Sequence, residues 1–104
     1  MSELSRRTDQ LARRLFPSEI VGRVRARLQS ECGTEALGCN GSTPEQMERI
    51  HFAVIRLGAA DVDALNRAIQ LAKTDWRDLL MEADFGESLT AHDEWYSRAM
   101  GEGP

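Results

Sequence analysis

The chain has 104 residues, 41% of them apolar and 29% charged, with 8 Gly, 3 Pro and a net charge of −4. That balance is globular: too apolar for a disordered polymer and too short for two independent cores, with about 65% of the extended chain's surface open to burial. No apolar run approaches the ~18 residues of a membrane span, and Met1–Arg14 is too charged for a secretion signal core.

In the first segment, Ser2 to Phe16, Leu4, Leu11, Ala12 and Leu15 fall at helical spacing, and Asp9 and Arg13 form an i,i+4 pair on the outer face. Phe16-Pro17 interrupts it, because a residue before proline resists the helical region. Ser18 is placed to cap a second helix whose stripe is Ile20, Val21, Val24 and Leu28, with Gly33 as its left-handed stop near Cys32. Residues 33–42 carry three glycines and no periodicity, which predicts a loop. Thr43-Pro44-Glu45-Gln46 is the clearest start signal, with Thr43 as cap, Pro44 in the first turn and Gln46 able to close a capping box. Met47, Ile50, His51, Val54 and Leu57 follow, and Phe52 and Ile55 widen the stripe. This helix is therefore expected at the centre, ending at Gly58.

From Asp61, the residues Val62, Leu65, Ile69, Ala72, Trp76, Leu79 and Ala83 recur in alternating steps of four and three, a seam that other helices must cover. Two readings meet there: one long helix, since the register runs through without a slip, or two pieces, since Thr74-Asp75 is a second start signal; two pieces with a bend at Thr74-Asp75 are preferred, closed by Gly86. Thr90-Ala91-His92-Asp93 offers another capping box for a last helix through Met100, before a frayed tail at residues 101–104. No strand pattern appears. The expected architecture is all-α, a single compact bundle of five or six short helices.

Charge is unevenly distributed. Residues 1–28 hold seven Arg against three carboxylates (+4), and residues 29–104 hold six basic against fourteen acidic side chains (−8). Opposite halves of this kind meet within one molecule or across a dimer. Arg6, Arg7, Arg13, Arg14, Arg23, Arg25 and Arg27 are also the residues a nucleic-acid-binding regulator would use, although the acidic remainder opposes phosphate.

Chemical motifs are sparse. Cys32 and Cys39, with no secretion signal, read first as reduced thiols, with a small-loop disulfide or a metal pair as alternatives. Cys32, Cys39, His51 and His92 are zinc-ligand types, but their spacing does not match tight structural knuckles. Glu48-Arg49-Ile50-His51 is one Glu-x-x-His element, where helical di-metal sites use two. Asp75, Asp78 and Glu82 form an acidic stripe suited to solvent or a partner. Trp76 falls in the seam and reads as core, while Trp95 and Tyr96 divide between core and interface. No nucleophile elbow or phosphate-binding glycine loop is present, so no catalytic residue or cofactor is assigned and an enzyme is not expected.

The segment Ala72-Lys73-x-Asp75-Trp76-Arg77-Asp78-Leu79-Leu80, followed by Ala83-x-Phe85-Gly86 and Ala91-His92-x-x-Trp95, resembles one found in small uncharacterised all-helical bacterial proteins. It lies within residues 65–95, about a third of the chain. The resemblance implies a bacterial, cytoplasmic protein and supplies no activity or site residues. The expectation that follows is a small cytoplasmic helical protein acting through protein–protein contact, with a second copy of itself among the partners it suits. Asp75, Asp78, Glu82, Trp95 and Tyr96 are its candidate contact residues.

Overall fold

A computed structural model describes residues 4–38, 42–59, 61–86, 88 and 90–101. Among them are six helices and no strand: α1 (Arg6–Leu15), α2 (Ser18–Glu31), α3 (Thr34–Leu37), α4 (Pro44–Gly58), α5 (Val62–Glu82) and α6 (Ala91–Ala99). The expected all-α bundle is what forms. Its accessible surface, 6192 Å², is close to the ~5,800 Å² that a folded chain of this mass should show.

Local chemistry sets most of the helix starts. Ser5 Oγ accepts from the Thr8 amide to open α1, Thr43 accepts from the Gln46 amide with Pro44 behind it, and Asp61 accepts from the Ala64 amide at 2.7 Å. Each oxygen satisfies an amide that the first turn leaves without a partner. Two expected caps are not used. Ser18 is the first helical residue of α2, with Pro17 at the cap position. Thr90 makes no side-chain cap for α6, because its hydroxyl and amide both pair with Ser88 Oγ at 3.1 Å.

Helix ends also depart from expectation. Gly33 is extended (φ −81°) rather than left-handed, since the chain re-enters a helical turn at Thr34, and the left-handed position passes to Gly38 (φ 67°). The expected loop at 33–42 thus contains α3; residues 39–41, Cys39 among them, lie outside the described residues, as do 102–104 of the tail. Gly58 is the last residue of α4, as expected; it is buried, and a Cβ built on it would sit 2.9 Å from the Leu65 Cα. It is there for close approach of two helices, not for a turn. The end of α5 is made by Asp84 (φ 64°), ahead of Gly86. Phe85 N donates to the Leu80 carbonyl and Asp84 N to that of Met81, a Schellman closure with aspartate in the place glycine commonly takes.

The bend within α5 is present. Asp75 leaves the helical region (φ −161°, ψ 96°), and its carboxylate accepts from the Arg77 and Asp78 amides, which caps the second arm. The seam is covered as expected at Leu65, Ile69, Ala72, Leu79 and Ala83, and Trp76 is half-buried. Val62 departs from it, 59% exposed, because it occupies the first turn, where α5 has not yet closed onto its neighbour. That neighbour is chiefly α4, with α3 as a second contact. α4 itself is the centre of the molecule: it also meets α1 and α6, and every residue from Arg49 to Ile55 is buried.

Candidate functional site

Polar side chains meet where α1, α4 and α6 converge. Ser5 Oγ donates to Glu48 Oε2 at 2.6 Å, and Arg7 lies 3.6 Å from the other Glu48 oxygen. The same guanidinium donates to Asp93 Oδ1 at 2.6 Å, while His92 Nε2 stands 3.6 Å from that oxygen. Arg7 is held over the Tyr96 ring (4.4 Å) and the Phe52 ring (5.2 Å). His92 is buried edge-on against Phe52 and Phe85, and its Nδ1 has no hydrogen-bond partner. Ligand atoms of Glu48, His92 and Asp93 lie within 4.8 Å of one another, as a metal site would need. Arg7 already brings positive charge to both carboxylates, however, and an ion would have to displace it from two aromatic faces. The cluster reads as a structural clamp.

Glu48 therefore joins a histidine, but not the expected one. His51 Nε2 donates at 2.8 Å to the Cys32 carbonyl, which can only accept, and this turns His51 away from a Glu-x-x-His pair. Cys32 is a free, fully buried thiol whose pKa burial pushes up to about 12, so the role of a reactive thiolate does not fit it. An open groove of about 520 Å³ runs past Ser30, Thr34, Met47, Glu48 and His51.

Both histidines of the chain titrate below their ordinary range, in each case chiefly because burial disfavours the charged ring. Protons then bind the unfolded chain more readily than the folded one, so stability is complete above the unfolded value, near 6.5, and is lost as pH falls from there toward the folded values. Urea midpoints are expected to fall between neutral pH and about pH 5, ahead of most carboxylate titration. A His51→Gln/His92→Gln variant should lose that slope; a wild-type midpoint flat across the interval contradicts the assignment.

Of the candidate contact residues, Tyr96 is not available. It is 7% exposed, stacked on Phe52 at 5.2 Å, and its hydroxyl donates to Gln10. Trp95 is half-buried against Phe85 and Phe52. Asp75, Asp78 and Glu82 are exposed, as a partner-facing stripe requires. The arginine set divides. Arg7 is in the clamp, Arg13 and Arg25 both pair with Asp9 (3.0 and 2.5 Å), and Arg27 pairs with Glu31 at 2.7 Å and bonds Asn66. Arg27, then Lys73, hold the Glu31 carboxyl below its ordinary range. Arg6, Arg14 and Arg23 are exposed, with no carboxylate partner among the described residues.

A second concavity, about 420 Å³, opens between α4 and the second arm of α5. Trp76, Leu80 and Met81 (58% exposed) supply its apolar wall, and Arg49 and Arg77 its charge. The sequence gives no local sign of Arg49 as a buried group, because the carbonyls that hold it, Phe85 and Ser88, are 36 and 39 residues away. No helix among the described residues is long and apolar enough to cross a membrane. No family model, curated protein or solved structure matches this chain.

Proposed function

We propose that this chain acts by binding another protein, and that the partner its charges fit is a second copy of itself. One observation carries the proposal: after intramolecular pairing, exposed charges of opposite sign remain on different helices. Arg6, Arg14 and Arg23 stand on α1 and α2, and Asp78 and Glu82 on the second arm of α5, with Asp75 beside them. A two-fold arrangement would set each basic face against the other copy's acidic face. Because exposed charges are screened beyond about 10 Å at 0.1 M salt, the attraction is one of contact, and the −4 carried by each chain does not prevent it.

Sedimentation equilibrium at low and high salt tests this. A dimer is expected at low salt and a monomer at high salt. Asp78→Lys/Glu82→Lys should be monomeric, as should Arg14→Glu/Arg23→Glu, and an equimolar mixture of the two should regain association through two matched contacts, one native and one with its charges exchanged. A wild-type chain that is monomeric at low salt and high micromolar concentration removes the proposal. Nucleic-acid binding, by contrast, would have only Arg6, Arg14 and Arg23 of the seven N-terminal arginines unpaired; three phosphate contacts give a shallow salt dependence, and the acidic remainder of the chain works against them.

A further inference from the structure

The geometry points to a binding site for an organic carboxylate with a compact apolar body, in the cleft between α4 and the second arm of α5. Arg49 is the one buried cation among the described residues, 8% exposed. Among the described residues it has no carboxylate partner. Its Nη2 donates to the Phe85 and Ser88 carbonyls, which are neutral, and its Nε–H has no hydrogen-bond partner among the described residues. Glu45, one turn earlier on α4, forms no ion pair with it. A buried guanidinium without a counter-ion is costly, and a carboxylate is the group that offsets its charge.

A second guanidinium stands on the same cleft. Arg77 lies over the Trp76 ring at 5.1 Å and likewise has no carboxylate partner among the described residues. The acidic stripe does not neutralise this pair. At ~100° per residue, Trp76, Arg77, Leu80 and Met81 share one side of the arm, while Asp75, Asp78 and Glu82 fall on the other. The cleft therefore has a cationic end and an apolar wall of Trp76, Leu80 and Met81. Its volume, about 420 Å³, lies in the ~300–1,000 Å³ range of small-ligand sites. A bare anion would leave that wall uncovered, and a purely apolar ligand would leave both guanidiniums without a charge to meet.

The test is an NMR titration of the labelled full chain, following the Trp76 indole N–H. The probes are phenylacetate and hexanoate, their amides, and inorganic phosphate. Both acids should move the Trp76 signal saturably and leave that of Trp95 in place. The amides should bind roughly tenfold or more weakly, the scale of a hydrogen bond to a charged group, and phosphate should be weaker than either acid. Arg77→Gln, at an exposed position, should weaken both acids by a similar factor, with the free spectrum changed only around Trp76, as should Arg49→Lys; if the latter does not fold, the amide comparison and Arg77→Gln decide. Asp78→Lys/Glu82→Lys should leave acid affinity intact or raise it, which separates this site from self-association. Amides binding as well as acids, phosphate binding as well as acids, or no saturable shift with either acid at millimolar concentration overturns the inference.

Discussion

Phe52→Ala is expected to cost about 3–5 kcal/mol, the range for removing a buried ring. Few positions in the chain bring so many parts together. Phe52 is fully buried, lies almost parallel to Tyr96 (8° between planes), and meets His92 and Trp95 edge-on. The Arg7 guanidinium rests over it. Truncation would open a cavity and also remove the surface against which Arg7 is held between Glu48 and Asp93. Since a small domain has about 5–15 kcal/mol in total, much of the variant population should unfold in urea that leaves the parent folded. Phe52→Leu keeps part of the volume and should lose less. A Phe52→Ala variant within 1 kcal/mol or so of the parent would mean that α6 does not pack on α4 as described.

Gly58→Ala is expected to destabilise by about 1–3 kcal/mol, the reverse of the ~1 kcal/mol gain usual for this change inside a helix. The added methyl would lie 2.7 Å from Leu65 Cδ1 and 2.9 Å from the Leu65 Cα. A side-chain end can rotate away, but the α carbon is backbone, so α4 and α5 must separate along the largest helix–helix contact in the molecule. Leu65→Ala in the same chain should restore only part of the loss, and the two changes should be non-additive because the residues touch. Equilibrium denaturation of the two single variants and the double variant measures this directly. A neutral or stabilised Gly58→Ala contradicts the close approach.

What was legible in the sequence was local. Thr43-Pro44 and Asp61 start helices because the groups they satisfy lie within three residues. Asp75 bends α5 for the same reason, and the crowded stripe from Ile50 to Ile55 identifies α4 as central because a helix apolar on several sides must be surrounded. Ser5 escaped notice behind the more obvious apolar spacing that follows it. The short α3 has no periodicity to detect, being a single turn held by what packs beneath Leu37 rather than by its own pattern.

The candidate sites were harder for a different reason. Glu48 meets His92 and Asp93 across more than 40 positions, whereas the nearer His51, with the familiar helical spacing, donates to the Cys32 carbonyl instead. Likewise the arginines of the first 28 residues read as one basic group, whereas four of the seven have carboxylate partners. Neither sorting can be done from spacing alone, because each depends on which distant acid the fold brings alongside. Arg49 is the sharpest case: an arginine between a glutamate and an isoleucine gives no sign that backbone oxygens will enclose it.

The anchoring of α1 has a consequence for the order in which the molecule is made. Its Arg7 and Gln10 are tied to Asp93 and Tyr96, 86 residues later in each case. During synthesis α1 leaves the ribosome before α6 and waits for it before it can settle, and contacts between such distant positions form slowly. A nascent chain arrested before Tyr96 should expose the Phe52 ring and the Arg7 side of α1 to proteases and chaperones, and release of α6 should protect both in a single step.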